Sequence, residues 1–354
     1  MSILRVLHLV GSAVDDFYCD LSRLYAQDCL DHTHNPDRYE FHIAYITPDR
    51  KWQFPTDLSN DAIASATPLS ISEAIQTIVD LKVDIMVPQM FCVPGMTQYR
   101  ALFDLLRIPY VGNTAELMAL VSDKAKTKAV VAAAGVMVPL GEVLRKGDRP
   151  SIAFPVVIKP MNGDNSIGVS LVHTVEEFDA AFEIALSHTD EVIVETFIPL
   201  GREVRCGIIV QADEWVCLPL EEYALDAKTR PIRSYADKLK QNEAGNLDFA
   251  AKESTHSWIV DPTDPITEAV WEMARKAHRA LGCRHYSLFD FRIDPQGNPW
   301  FLEAGLYCSF AESSVISAMV KESGTSLELF FDRMLQDVLN DPDSKPPNPV
   351  TPDP

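Results

Sequence analysis

The chain is short of basic residues. Lys plus Arg is 31 against 51 for Asp plus Glu, a net charge of −20 over 354 residues. Such a chain repels phosphate backbones and anionic lipid head groups, which argues against nucleic-acid and membrane-surface partners. A local basic pocket for a small anion is still allowed. No apolar run approaches the roughly 20 residues that would span a bilayer. The start lacks the long apolar stretch and small-residue cleavage site of a secretory signal, so a cytoplasmic location is expected. The seven cysteines are scattered, odd in number and never spaced Cys-x-x-Cys. That fits thiols kept reduced and used as small core residues. The nine histidines show no ligand spacing apart from His32 and His34 in a polar turn, so no zinc site is expected. Gly11-Ser12-Ala13 follows the first strand and fails the three-glycine pattern of a dinucleotide site. There is no internal repeat.

What is present points to an α/β fold followed by α+β structure. The length predicts two or three domains or lobes. Residues 6–10, 41–46, 84–88 and 109–111 are strand-like, and 20–30, 71–81 and 97–106 have helical periodicity. Such alternation predicts a parallel sheet. Residues 116–134 read as one helix carrying Lys124, Lys126 and Lys128, stopped by Gly135. From 156 onward short strands pair, with helices over 175–186 and 266–281. Residues 226–260 are polar and irregular, which suggests a mobile functional loop. The expected divisions are 1–120, 121–200, 201–338 and a disordered tail, 339–354, rich in Pro and Asp.

Three segments carry candidate chemistry. Residues 155–160 form an apolar strand closed by Lys159, an expensive place for a charge. The small polar loop 161–168 follows, and a second strand after it completes a hairpin. Its glycines and serine let backbone N–H groups approach a phosphate, with Lys159 supplying positive charge. An ordinary hairpin whose lysine reaches water fits the same residues. The second segment is strand 191–195, bracketed by Glu191 and Glu195, then Gly201-Arg202-Glu203-Val204-Arg205. Such an edge can offer backbone groups to a purine and a carboxylate to ribose hydroxyls.

The third segment is a hairpin, strands 287–293 and 299–303 around the turn Asp294-Pro295-Gln296-Gly297. Alternation puts Leu288, Asp290 and Arg292 on one face. A four-residue turn pairs Ile293 with Asn298 and Asp290 with Phe301. It sets Glu303 diagonally from Asp290, within reach of a shared ion. Two carboxylates and phosphate oxygens suit Mg²⁺. An ion pair of Asp290 with Arg292, or of Glu303 with an arginine, is the competing reading.

In this order the segments resemble the ATP-grasp superfamily, and within it the D-alanine–D-alanine ligases. The resemblance implies three lobes, an N-terminal α/β domain and two α+β lobes that sandwich ATP. It implies phosphate contacts from Lys124, Lys159, the glycine-rich loop with Asn165 and Ser166, and Lys238 of a mobile loop. Glu195, Thr196, Phe197 and Ile198 match the adenine hinge, Glu203 the ribose acid, and Asp290 and Glu303 two Mg²⁺ ligands. Ser314 matches a serine that holds the incoming amino acid's carboxylate. Two positions depart from the pattern. Gly305 stands where the family has a third metal ligand, an asparagine. Leu288 stands where it has the arginine that steadies the tetrahedral intermediate, and Arg292 is the candidate substitute.

The chain resembles more closely the D-Ala–D-Ala-ligase-like enzymes of cyanobacterial mycosporine-like amino acid biosynthesis. Residues 6–16, 88–92, 284–292 and 301–310 carry that likeness. It implies condensation of mycosporine-glycine with serine or threonine, giving shinorine or porphyra-334. Lys159, Lys238, Ser166 and Arg292 are then the catalytic candidates. Tyr307, Ser309 and Phe310 are candidates for the ring pocket, and Asp15 and Asp16 for a substrate amine or hydroxyl. A homodimer is carried over from related ligases. The alternatives are a D-Ala–D-Ala or other dipeptide ligase acting through an acyl phosphate, and a non-catalytic ATP-binding regulatory module.

Overall fold

The computed structural model describes residues 3–161, 167–212, 214–233, 239–241, 247–249 and 257–341. Among them no helix is long and apolar enough to cross a membrane. Contacts divide the chain into two compact units, residues 1–116, 210–214 and 307–354, and residues 117–209 and 215–306.

The first unit is built on a sheet in the order Trp52–Gln53, Tyr39–Ile46, Leu4–Gly11, Ile85–Pro88. Leu4–Gly11 runs parallel to both neighbours, and Met86 bridges onward to Tyr110 in parallel. This is the α/β alternation expected. Leu7, Leu9, Ala44, Ile46 and Met86 are buried with Ala74 and Ile78 of helix Ile71–Leu81. That helix starts at Ser70 with a capping box closed by Glu73. Gly11 ends its strand at φ +96°, and a Cβ there would lie 2.1 Å from the Ile46 carbonyl oxygen. Close strand approach therefore explains this glycine. Residues after 306 return to this unit. The Gln89 side chain donates to the Ser309 carbonyl at 2.8 Å, and Tyr39 donates to Asp332 at 2.6 Å.

The second unit holds two larger sheets and a two-stranded one, Leu239–Gln241 paired antiparallel with Leu247–Phe249. One larger sheet has the order Gly141–Arg145, Glu191–Thr196, Val156–Pro160, Ser170–Val172, every pair antiparallel. Phe178, Phe182 and Ala185 of helix Val175–Leu186 bury one of its faces with Val156, Ile158, Val192 and Val194. Each buried phenylalanine contributes about 1.5–3 kcal/mol. The other larger sheet runs Ser257–Ile259, Glu221–Tyr223, Arg202–Gln211, Tyr286–Ile293, Pro299–Ala304, with Glu214–Cys217 also on Arg202–Gln211.

Three local expectations are corrected. The helix expected over 116–134 is two helices, Ala115–Val121 and Lys124–Ala133, because the Asp123 carboxylate accepts from the Lys126 N–H and starts a new one. The span 226–260 contains short strands, Leu239–Gln241, Leu247–Phe249 and Ser257–Ile259. The last helix, Leu327–Asn340, runs into the expected tail, and residues 342–354 lie outside the described residues.

Candidate functional site

The metal-acid hairpin differs from its expected register. Asp294 accepts hydrogen bonds from the Gln296 and Asn298 N–H groups and from the side chains of Asn298 and Trp300. Its carboxylate organises a five-residue loop, Gly297 takes φ +87°, and Ile293 pairs with Pro299. A bulge after Asp290 then restores the phase. Asp290 therefore lies directly opposite Glu303, not diagonally from it. Both carboxylates line a cavity within the second unit.

Strand Arg202–Gln211 runs antiparallel to Tyr286–Ile293 and sets two opposite-charge pairs across the ladder, Glu203 facing Arg292 and Arg205 facing Asp290. Arg205 Nε lies 2.8 Å from Asp290 Oδ1, and Arg233 Nη1 lies 3.5 Å from Oδ2. Arg292 is buried. Its Nε is 3.1 Å from Glu203, its Nη1 donates to the Ile198 carbonyl at 3.2 Å, and it sits over the Phe197 ring. The expectation that Arg292 supplies charge beside Asp290 is corrected: its guanidinium is held by the expected ribose acid and the hinge. The partners of Asp290 are Arg205, its cross-strand neighbour, and Arg233, neither of them on the same strand.

The lysines come from strand Val156–Pro160 and helix Lys124–Ala133. Lys159 Nζ lies 2.9 Å from Glu195 Oε2, and Lys128 binds Oε1 of the same carboxylate. Glu195 and Lys128 are buried, and the Lys159 side chain is 14% exposed. Burial alone would raise the Glu195 pKa, but Lys128 and Lys159 outweigh it and hold it at about 2. Burial pulls Lys128 down to about 8, against the attraction of Glu195. Lys159 is also opposed by burial, yet Glu195, Glu303 and Glu203 keep it above its ordinary value. Lys124 lines the cavity and reaches the Met161 carbonyl at 3.5 Å. Glu195, Thr196, Phe197 and Ile198 line it too. The N–H groups of Thr196 and Phe197 are already used by the carbonyls of Leu140 and Pro155.

Lys124, Lys159, Glu195 to Ile198, Glu203, Asp290, Arg292 and Glu303 are thus brought together in one cavity. Asn165, Ser166 and Lys238 lie outside the described residues. The remaining candidates belong to the first unit. Asp15 caps helix Asp16–Thr33 by accepting from Tyr18 N–H, and Asp16 opens that helix. Tyr307 packs edge-on to Phe91. The Ser309 hydroxyl accepts from Ala311 N–H. Phe310 is fully buried against Phe330 and Phe331, so the ring-pocket expectation is corrected to core packing. Ser314 caps helix Val315–Glu322, its hydroxyl bonded to Ser317. Sequence reasoning missed Lys128, Arg205 and Arg233. Lys128 was legible as the i+4 neighbour of Lys124 on one helix face.

A cavity that brings together lysines, two facing carboxylates and an acid-lysine lock suits a polyphosphate nucleotide with a divalent cation. Among the described residues no group of three or more His, Cys, Asp or Glu could hold a metal ion, so the protein's donor set is the two acids. Mg²⁺ keeps several waters and takes substrate oxygens, which fits so few ligands. This fold and site define an ATP-grasp ligase.

The model of the D-ala D-ala ligase C-terminus matches residues 142–336. The D-alanine–D-alanine ligase of Halalkalibacterium halodurans is 30% identical over 276 residues, 76% of this chain and 85% of that protein. That of Geobacter sulfurreducens is 30% identical over 245 residues, 67% of this chain and 71% of that protein. The structure of VanG D-Ala:D-Ser ligase from Enterococcus faecalis superposes with a TM-score of 0.76 at 22% identity, covering 95% of this chain and 99% of that one. This last likeness shows the fold. The chain belongs to the D-alanine–D-alanine ligase family and is an ATP-dependent ligase that forms carbon–nitrogen bonds.

Proposed function

We propose that the chain condenses mycosporine-glycine with serine or threonine, giving a disubstituted mycosporine-like amino acid such as shinorine or porphyra-334. The observation that carries this reading is a site that keeps the nucleotide groups and two metal acids yet departs from the family pattern at Leu288 and at Gly305, the place of the third metal ligand. Leu288 is buried where the family pattern has an arginine. At Gly305, where the pattern has an asparagine, a Cβ would meet nothing closer than 3.9 Å. A side chain could therefore start at this position without a clash at its Cβ. Departures at these two positions suit an electrophile other than an amino acid's carboxylate.

When bound, ATP supplies the phosphoryl group that activates the acceptor oxygen, and Mg²⁺ held by Asp290 and Glu303 balances the phosphate charge. In this reading Lys124 and Lys159 balance the negative charge that develops, and Lys159 is already held by Glu195, so little reorganisation is needed. Lys128 and Glu195 hold Lys159 in place. Arg292 holds Glu203 for a ribose, and strand Glu191–Thr196 leads into the hinge for the base. Lys238, Ser166 and Asn165 complete the phosphate contacts in this reading. The ring ketone of mycosporine-glycine is conjugated to nitrogen, so its O-phosphorylated form behaves electronically like an acyl phosphate. The amine of serine or threonine attacks the ring carbon, phosphate leaves and an imine forms.

The second reading is a D-Ala–D-Ala or other dipeptide ligase acting through an acyl phosphate. The names of the relatives favour it more directly than the first. ADP release with Mg-ATP separates the two. Turnover only with mycosporine-glycine plus serine or threonine, with the ultraviolet band moving to longer wavelength, supports the first. Turnover with D-alanine alone establishes the second.

A further inference from the structure

Arg233 has no role in the reading above, yet it is built into the acidic end of the cavity. It is 9% exposed and lines the cavity beside Asp290. Its guanidinium lies 3.7 Å from the centroid of the Tyr223 ring. The Tyr223 hydroxyl donates to Glu221 at 2.7 Å, which fixes the ring, and Arg205 lies 5.2 Å from the same centroid. The guanidinium plane is therefore set by packing and cation–π attraction. Its charge is only loosely matched. Arg205 is shared by Asp290 at 2.8 Å and Glu221 at 4.0 Å, whereas Arg233 reaches Asp290 through one nitrogen at 3.5 Å. Arg233 Nε is buried and has no hydrogen-bond partner among the described residues. A buried donor without an acceptor is costly, and a planar fork of N–H groups suits an oxyanion.

We propose that Arg233 binds an oxyanion at this end of the cavity, with Tyr223 and Arg205 holding it in position. The chemistry is that of a carboxylate on the acceptor or of a phosphoryl group. The inference deepens the ligase reading and rests on it for the identity of the acceptor.

Calorimetric titration tests it without turnover. Mg-ATP, mycosporine-glycine, D-alanine and inorganic phosphate are each titrated into the wild type, Arg233→Met and Arg233→Lys. The proposal expects Arg233→Met to weaken binding of an oxyanion probe about tenfold or more, and Arg233→Lys to recover only part of it. Weakening confined to mycosporine-glycine or D-alanine assigns the acceptor carboxylate. Weakening confined to Mg-ATP or phosphate assigns the phosphoryl group. Binding of every probe within twofold of wild type in the folded Arg233→Lys and Arg233→Met proteins overturns the proposal. So does a wild type that binds none of them. Should Arg233→Met fail to fold, Arg233→Lys alone decides, because it keeps the charge and removes the fork. A wild type that binds mycosporine-glycine without turning it over defeats the ligase reading and leaves this inference standing on the binding data.

Discussion

Glu195 is a single buried carboxylate held between the ammonium groups of Lys128 and Lys159. Glu195→Gln leaves Lys128 and Lys159 without their counter-charge. Urea unfolding at neutral pH is expected to show a loss of about 3 kcal/mol. Lys128 sheds its proton near pH 8, so the loss should be smaller at pH 9 than at pH 7. Asp290→Asn removes one of the two facing acids and is expected to lower ADP formation about 100-fold or more. Normal ADP formation by that variant would remove Asp290 from the site. Lys159, Asp290 and Glu303 stood out in the sequence because each is a charge on a strand between apolar neighbours, whereas Glu203, between Arg202 and Val204, came only from the family resemblance. Arg205 and Arg233 were not, because their meaning depends on strands and segments distant in the chain.

At the scale of elements, the hairpin that presents Asp290 and Glu303 depends on Asp294. Burial opposes its charge, but hydrogen bonds from Trp300, Asn298 and Gln296 prevail and hold its pKa at about 2. Asp294→Ala is expected to cost about 2 kcal/mol of stability and to lower ADP formation although neither acid is touched. Unchanged stability and activity would show that the register survives without this carboxylate. In helix Val175–Leu186, Phe178→Ala is expected to cost about 3–5 kcal/mol by urea unfolding. That helix and Ile266–Leu281 were legible to the residue from periodicity. The bulge beside Asp290 was not, because a turn motif gives the residue types of a loop and not its length. The break at residues 122–123 needed Asp123 to be read as a cap within an otherwise continuous helical pattern.

For the whole molecule, two buried histidines set a pH dependence of stability. Burial holds His8 down to about 3 and His278 to about 4. Neither His8 ring nitrogen has a hydrogen-bond partner among the described residues. The unfolded chain takes up these protons near pH 6.5 and the folded chain refuses them. Their contribution is therefore full above about pH 6.5. It declines as pH falls toward 4 and then 3, by about 1.4 kcal/mol per unit for each histidine. Urea unfolding at pH 7.5, 6 and 5 should follow that slope, and His8→Leu should remove about half of it. A slope unchanged in the variant would contradict the assignment. Strand alternation made the α/β first unit legible, but not the return of residues 307–341 to it. That return rests on contacts such as Gln89 with Ser309 and Tyr39 with Asp332, which no local pattern announces.

In the proposed reaction ATP activates an acceptor oxygen, which then leaves as part of phosphate. The direct measurement uses whichever acceptor turns over, labelled with ¹⁸O at the ring ketone or the carboxylate, and reads the released phosphate by mass spectrometry. The account predicts one ¹⁸O atom in each phosphate formed. Phosphate carrying no label, with product still accumulating, would contradict it.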